Sequence, residues 1–260
     1  MPETGILPSW NHRWALFLDV DGTLLDIADH PDDVRTTPRL KLLLRRAALE
    51  LDGAVALVSG RAIADLDRLF MPLQLPMAGL HGIERRSADG AVHFQATRED
   101  QLHTVKRELM DFVQSRAGLL LEDKGAALAL HYRNAPTLAG EAEQVMARVA
   151  RTAGEQFQVQ RGKMVLELKP AGQDKGTAIG EFMEESPFAG RIPVFAGDDV
   201  TDEDGFVAVN GFGGHSIRVG DGQASAATYR VESVTELLGW LEQNLLGSEP
   251  GAKEAVNVDA

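Results

Sequence analysis

The stretch Ala15-Leu16-Phe17-Leu18-Asp19-Val20-Asp21-Gly22-Thr23 decides the fold class of this chain. Its apolar part is typical of a strand buried on both faces of a parallel sheet. Asp19 and Asp21 follow where open α/β sheets bind their ligands, and Gly22 lets the backbone bend sharply before Thr23. An acidic turn is the alternative interpretation. A calcium loop shares these letters but needs a longer run of oxygen ligands and a closing Glu.

The next segments continue an α/β pattern. Thr36-Thr37-Pro38 predicts a capped helix that runs to Leu51, because proline suits the first helical turn. A second buried strand is expected over Ala54 to Val58, which completes a right-handed βαβ unit. A helix from Arg61 to Phe70 and a strand near Met77 to Leu80 should follow. The chain therefore begins as a Rossmann-like parallel sheet.

The pattern changes at Gly82. Hairpins are predicted to turn at Asp89-Gly90 and to span 119–133, with helices over 97–117 and 137–153 and two strands ending at Lys169. Paired strands alternating with helices indicate a separate α+β module. The α/β pattern returns after Pro170. We therefore expect a core of residues 1–81 and 171–246, an inserted module of 82–170, and a flexible tail of 247–260.

Composition limits the partners of the protein. The 260 residues carry a formal net charge of −13, which argues against a nucleic-acid or anionic-membrane surface. Cysteine is absent, so catalysis must use oxygen and nitrogen groups. No stretch resembles an export signal or a membrane span. We expect a cytoplasmic monomer that acts on a small molecule.

A second acidic segment follows another apolar strand, at Gly197-Asp198-Asp199-Val200-Thr201-Asp202-Glu203-Asp204. Five acids in these positions repel one another unless a cation or solvent intervenes, and a hard divalent ion is the natural partner. Asp202 and its acidic neighbours could instead favour the N-terminus of the next helix. Asp198 and Asp199 precede that turn and are the stronger metal candidates.

Two shorter motifs begin helices. Ser59-Gly60-Arg61 ends the second strand, where a helix N-terminus offers an anion site, although a simple N-cap has the same letters. Asp174-Lys175-Gly176 places a lysine at a helix N-terminus, where it is electrostatically unfavourable unless it serves an anion. A solvated surface lysine is the alternative.

Together D-x-D-G-T, S-G-R, D-K-G and G-D-D-x-x-D-E resemble, in order, the four motifs of the haloacid dehalogenase superfamily of phosphotransferases. The position of the insert resembles the larger, C2-type cap of that superfamily. Five stretches are further similar to trehalose-6-phosphate phosphatases, which carry out the last step of trehalose biosynthesis. They are Leu16 to Thr23, Leu57 to Arg61, Gly79 to Gly82, Arg161 to Pro170 and Gly197 to Glu203.

The resemblance assigns the chemistry to the first motif and to a magnesium ion. It implies that Asp19 attacks phosphorus and that Asp21 protonates the leaving sugar oxygen and later activates water. Mg²⁺ would be bound by the Asp19 carboxylate, the Asp21 backbone carbonyl and Asp198. Ser59 would donate a hydrogen bond to the phosphate, and Lys175 would balance its charge.

Supporting roles are implied for other motif residues. Asp199 and Asp202 would orient the metal and the lysine. Gly22, Thr23, Gly60 and Arg61, from the first two motifs, are assigned to substrate binding.

The same resemblance assigns substrate contacts to the inserted module, at Glu122, Lys124, Arg133, Lys163 and Glu167. Taken without it, Glu122 and Lys124 could be a solvated cross-strand pair. Lys163 and Glu167 lie four apart on a strand and face the same side. The module should close over the core, with hinges near 80–82 and 169–172.

His81 lies where the core passes into the insert. Hinge, core and substrate-binding roles are each open for it, and the resemblance places it among the substrate-binding residues.

Two other functions remain open from sequence. One is a phosphatase or phosphomutase with the same core acting on sucrose phosphate, mannosyl-phosphoglycerate or a hexose phosphate. The other is a non-catalytic sugar-phosphate sensor. Retention of the carboxylate nucleophile Asp19 argues against a sensor, because a protein that only binds does not need it.

Overall fold

The computed structural model describes residues 3–4, 7–27, 34–94, 99–221 and 224–246, and the predicted tail lies outside them. Within these residues the strands form a nine-stranded and a four-stranded sheet. In chain order the strands are β1 (Glu3–Thr4), β2 (Trp14–Leu18), β3 (Val55–Val58), β4 (Met77–Gly79), β5 (Glu84–Arg86), β6 (Val92–Phe94), β7 (Leu120–Asp123), β8 (Leu128–His131), β9 (Phe157–Gly162), β10 (Val165–Pro170), β11 (Ile192–Gly197), β12 (His215–Val219) and β13 (Tyr229–Val231).

The helices separate these strands as the sequence pattern predicts. They are α1 (Pro38–Glu50), α2 (Ile63–Phe70), α3 (Glu99–Gln114), α4 (Ala139–Ala153), α5 (Lys175–Met183), α6 (Glu203–Gly211) and α7 (Val234–Leu245). None of the helices in the described residues has both the length and the apolar composition needed to cross a membrane.

The larger sheet has the order β1-β13-β12-β11-β2-β3-β4-β5-β6, and neighbouring strands are parallel from β1 to β4. Strand β2 lies in the middle and is apolar on both faces because helices cover both. Trp14 contacts Trp240 of α7 on one face, with ring centroids 6.0 Å apart. Phe17 contacts Phe182 of α5 on the other, at 5.9 Å. The predicted Rossmann-like core is confirmed.

Helix starts follow the capping signals. The Thr37 side chain accepts the backbone N–H of Leu40, and Pro38 occupies the first turn of α1. At α5, Asp174 and Thr177 form a reciprocal capping box. Because that box determines where α5 begins, it also determines where Lys175 lies.

The hairpin β5–β6 belongs to the core sheet, whereas the sequence interpretation placed it in the insert. Strand β5 pairs antiparallel with β4, with Met77 opposite Arg86, and β6 pairs with β5. The cause is the tight turn at Leu80–Gly82, which reverses the chain directly beside β4. Here Leu80, His81 and Gly82 have φ angles of 49°, 56° and 102°, an uncommon left-handed run for two non-glycine residues.

The insert is an α+β module, as predicted. Its antiparallel sheet has the order β7-β8-β10-β9, and α3 packs against α4. Leu128, Leu130, Leu166 and Leu168 are buried with apolar residues of α3 and α4. Since side chains alternate along a strand, the residues between these leucines face the opposite way. That second face of the insert sheet is directed at the core.

Candidate active site

Three polar residues follow directly on the carboxyl ends of adjacent core strands. Asp19 follows β2, Ser59 follows β3 and Asp198 follows β11, and these strands are neighbours in the sheet. Parallel strands end at the same edge, so the residues that follow them are brought together. The Asp19 backbone N–H donates to the carbonyl of Ala196, 3.0 Å away, which ties two of these ends to each other.

Lys175 lies under this edge as a buried cation. Its Nζ donates to Asp19 Oδ1 at 2.7 Å and to Asp202 Oδ1 at 2.5 Å. Burial by itself would lower the pKa of Lys175, but the two carboxylates outweigh that effect and raise the pKa above its ordinary value. The lysine is therefore charged, and the alternative of a solvated surface lysine is wrong.

Asp202 organises the second acidic motif from behind. Its Oδ2 accepts the backbone N–H groups of Asp198 and Asp199, each at 2.9 Å, and its side chain is fully buried. Asp199 caps the turn that follows, through an N–H of Val200. Asp202 thus holds both the loop and Lys175 in place.

Asp198 and Asp19 present oxygens that suit a hard cation. One oxygen each of Asp19, Asp198 and Asp202 lies within 4.8 Å of the others. Asp198 Oδ1 is buried and makes no hydrogen bond in the described part of the chain. Burial, and next the charge of Asp202, raises the pKa of Asp198 to about 7. Burial likewise raises the pKa of Asp19 well above its ordinary value, with Asp198 and Asp202 opposing the effect of Lys175.

This donor set fits a divalent metal ion. Carboxylate oxygens are the ligands that Mg²⁺ and similar ions bind, and a cation between Asp19 and Asp198 would relieve their repulsion. Asp202 is less suited because both of its oxygens already accept hydrogen bonds. The side chains that fit a metal ion are therefore those of Asp19 and Asp198.

Asp21 is paired with an arginine that the sequence interpretation assigned to substrate binding. Arg61 Nε donates to Asp21 Oδ2 at 2.6 Å, and Nη2 donates to Oδ1 at 2.7 Å. This is a bidentate geometry, which orients a carboxylate more strictly than a single bond does. Ser59 also helps to position Arg61, because the Ser59 Oγ accepts the backbone N–H of Arg61 at 3.2 Å.

A cleft of about 830 Å³ lies between this edge of the core and the insert sheet. It brings together nearly all of the residues predicted for the site. Those that line it are Asp19, Asp21, Ser59, Gly60, Arg61, His81, Glu122, Lys124, Arg133, Lys163, Glu167, Lys175, Asp198 and Asp199. Gly22, Thr23 and Asp202 lie behind its walls. Gly22 packs against Asp198, and the Thr23 side chain is fully buried.

Side chains of the insert reach the core on one side of the cleft. Lys124 Nζ donates to the Gly60 carbonyl at 2.9 Å, and Glu167 Oε2 lies 3.2 Å from His81 Nε2. Burial raises the pKa of an isolated carboxyl, but Lys124 and His81 outweigh it and lower the pKa of Glu167 to about 2. Burial lowers the pKa of His81. Glu167 is therefore an anion that lies between His81 of the core and Lys124 of the insert.

On the other side, a turn of the insert reaches the acidic loop. The backbone N–H of Lys163 donates to Asp199 Oδ2 at 3.2 Å. Arg133 Nη2 lies 3.5 Å from the Lys163 carbonyl, so these two cations are neighbours at the rim. The cleft is consequently bridged by the insert at both sides.

Sequence reasoning missed several polar residues that line the cleft, and two of them lie in its roof. His131 Nε2 lies 2.9 Å from Glu122 Oε2, and burial is outweighed by this contact, which lowers the pKa of Glu122. Gln160 of β9 also lines the cleft. Polar and apolar residues alternate along β8 and β9, which indicates that His131 and Gln160 face away from the leucine core. This alternation is visible in the sequence and could have identified both residues.

A strand that ends at Asp19, a buried lysine, an acidic loop and an insert that covers them indicate the class of this protein. Its fold is that of phosphatases of the haloacid dehalogenase superfamily, with a TM-score of 0.59 to one of them at 16% identity. The chain matches the family model for trehalose-phosphatase over residues 17–235. It belongs to the trehalose-phosphatase family, and it is a hydrolase.

Individual relatives agree with this assignment. The chain is 48% identical over 228 residues to a probable trehalose-phosphate phosphatase of Sinorhizobium fredii, covering 87% of this chain and 86% of that protein. It is 42% identical over 242 residues to the trehalose-6-phosphate phosphatase of Escherichia coli, covering 90% and 88%. The C-terminal domain of the Candida albicans trehalose-6-phosphate phosphatase has the same fold, with a TM-score of 0.80 at 21% identity over 90% of this chain and 92% of that one. The family resemblance expected from the motifs is confirmed.

Proposed function

We propose that this protein hydrolyses trehalose 6-phosphate to trehalose and phosphate, with the phosphoryl group carried transiently by Asp19. The observation that supports it best is the juxtaposition of Asp19 with Lys175 and Asp198 beneath a roof of polar side chains. The floor suits a phosphate, and the roof suits the hydroxyl groups of a sugar. Membership of the trehalose-phosphatase family supports the choice of sugar.

In the first step a carboxylate oxygen of Asp19 attacks phosphorus. The bond between phosphorus and the sugar oxygen breaks, and Asp21 gives that oxygen a proton. General acid catalysis of this kind is worth about 10²- to 10⁴-fold in rate. Arg61 holds the Asp21 side chain in a single orientation. The products of this step are trehalose and an acyl-phosphate on Asp19.

In the second step a water molecule attacks the phosphorus of the acyl-phosphate. Asp21, now a carboxylate, takes a proton from that water, and the bond between phosphorus and the Asp19 oxygen breaks. Inorganic phosphate leaves, and both carboxyl groups return to their starting states. The two displacements are each easier than direct hydrolysis, because the nucleophile is already in place for the first.

A magnesium ion completes the charge balance of the site. It would be held by the carboxylates of Asp19 and Asp198 and by the Asp21 backbone carbonyl, and when bound it neutralises the phosphoryl oxygens during attack. Lys175 supplies a second positive charge from the buried side. Ser59, which lines the cleft, would donate its hydroxyl to an oxygen of the phosphate. Asp202 and Asp199 hold the loop that carries Asp198.

The insert supplies the sugar contacts in this proposal, through Glu122, Lys124, Arg133, Lys163 and Glu167. His81, which belongs to the core, contacts Glu167 and helps to position it. Closure of the insert also excludes bulk water from the site of phosphoryl transfer.

A substrate panel tests the proposal. Phosphate release in magnesium is measured with trehalose 6-phosphate, sucrose phosphate and hexose phosphates at equal concentrations. Trehalose 6-phosphate should give the highest kcat/KM. A higher kcat/KM with another sugar phosphate would contradict the substrate assignment.

The nucleophile is tested separately with Asp19→Asn. This variant should abolish phosphate release and still bind the substrate, as measured by calorimetry. The exposed residue Asp26 lies on the same loop segment and provides a matched control, since Asp26→Asn should retain activity. Retained turnover in Asp19→Asn would exclude the proposed covalent step.

A further inference from the structure

The roof of the cleft contains a transverse row of residues that strand pairing aligns. Glu122 of β7 lies opposite Ala129 of β8, which lies opposite Glu167 of β10, which lies opposite Gln160 of β9. Directly opposed residues of a sheet share a face. The leucines on either side of Ala129 and Glu167 point into the insert core, so this row points at the core domain.

The row contains two carboxylates that lie two strands apart, Glu122 and Glu167, and the amide of Gln160 at one end. Neighbouring strands are about 4.8 Å apart, so the row spans roughly 14 Å from β7 to β9. The middle position is alanine, which leaves space between Glu122 and Glu167. Such a width exceeds one sugar ring and suits a disaccharide lying across the strands.

Two groups in this row have hydrogen-bonding capacity that the protein does not use. Glu167 Oε1 is buried and has no partner in the described residues. The Gln160 amide, half-buried in the cleft lining, likewise makes no side-chain hydrogen bond to the described part of the chain. A buried polar atom normally has a partner, so the unpaired Glu167 Oε1 indicates a ligand in the cleft, and the Gln160 amide lies beside it on the paired strand.

We infer that Gln160 is a specificity-determining residue whose amide binds hydroxyl groups of the substrate's sugar. This rests on the proposed function, because it takes the ligand of the cleft to be a sugar phosphate. An amide offers a donor and an acceptor side by side, which matches a pair of neighbouring sugar hydroxyls. It is uncharged and lies in the roof, so it does not serve the phosphate bound at the floor.

The test compares two leucine substitutions on the same strand. Gln160→Leu keeps the size of the side chain and removes its polar groups. Gln158→Leu makes the same change at an exposed position two residues earlier, outside the cleft lining. For each variant the selectivity ratio is measured, namely kcat/KM for trehalose 6-phosphate divided by kcat/KM for p-nitrophenyl phosphate, which has no sugar.

The selectivity ratio should fall roughly 3- to 10-fold in Gln160→Leu, the effect of losing one or two hydrogen bonds. It should stay at the wild-type value in Gln158→Leu. An unchanged ratio in Gln160→Leu would overturn the inference, as would an equal fall in both variants. Gln160→Ala provides a second variant in case leucine disturbs folding, which thermal unfolding would reveal.

Failure of the substrate assignment has a different signature. If wild-type protein prefers another sugar phosphate, the proposed function is wrong, and the ratio is then measured with that sugar phosphate. A fall confined to the sugar substrate would still support Gln160 as a sugar-binding residue. No fall with the preferred sugar phosphate would reject it.

Discussion

Replacing Gly22 by alanine adds a single methyl group directly against the carboxylate of Asp198, which we propose as a metal ligand. An ideal Cβ at this position would lie 2.2 Å from Asp198 Oδ2 and 2.3 Å from its Cγ. Ordinary contacts of a Cβ atom begin at 3.4 Å. The Asp198 carboxylate must therefore move by about 1 Å or rotate away, and a displacement of this size at a reacting centre can cost about 100-fold in rate.

The backbone adds a second effect that must be separated from the first. Gly22 has φ of +87°, where a side chain costs about 1 to 2 kcal/mol. Gly90 provides the matched control, because its φ is +86° and a Cβ there would meet nothing within 4 Å. Gly90→Ala therefore reports backbone strain alone. Gly22→Ala combines that strain with the displacement of Asp198.

The two variants are compared in stability and in activity. Urea unfolding should show a loss of roughly 1 to 2 kcal/mol in Gly90→Ala and at least as much in Gly22→Ala. Phosphate release should fall by about 100-fold or more only in Gly22→Ala, with the magnesium dependence shifted to higher concentration. Equal activities of the two variants would show that Asp198 is not held where the mechanism needs it, and would refute the reasoning.

Three further predictions concern buried charge and the metal. Lys175→Met should lower the free energy of unfolding by about 3 to 5 kcal/mol, because Asp19 and Asp202 lose their partner. Adding Asp19→Asn to this variant should restore part of the lost stability, and strictly additive losses would contradict the pairing. Glu167 has a pKa of about 2, lowered from 4.5, so its charge stabilises the fold above the unfolded pKa and that contribution is lost as pH falls toward 2. Glu167→Gln should therefore cost roughly 3 kcal/mol at pH 7 and clearly less at pH 3, and equal losses at both would be inconsistent with the shift. Removing magnesium with EDTA should abolish phosphate release and lower the melting temperature, and adding magnesium back should restore both; full activity in EDTA would exclude a metal.

Much of the core and the catalytic motifs followed from local pattern. Short apolar runs predict buried parallel strands, and the residues that follow such strands meet at one edge of the sheet. Thr37-Pro38 and Asp174 predicted helix starts because capping is decided within one turn. Asp19, Ser59 and Asp198 could therefore be placed in one site without coordinates.

The attachment of the hairpin β5–β6 could not be predicted in this way. The sequence of residues 84–94 predicts a hairpin, but it does not show whether that hairpin joins the core sheet or the insert sheet. The choice is made by the left-handed turn at Leu80–Gly82, which aims the chain along β4.

Pairings across long stretches of chain were likewise decided only by folding. Arg61 binds Asp21 across 40 positions, and Gln160 lies beside Glu167 because β9 and β10 pair in one particular register. Periodicity and capping depend on neighbours within a few residues, so one sequence displays them directly. The partner of a polar side chain depends on how whole elements pack, and that depends on the summed burial of both domains rather than on any local motif.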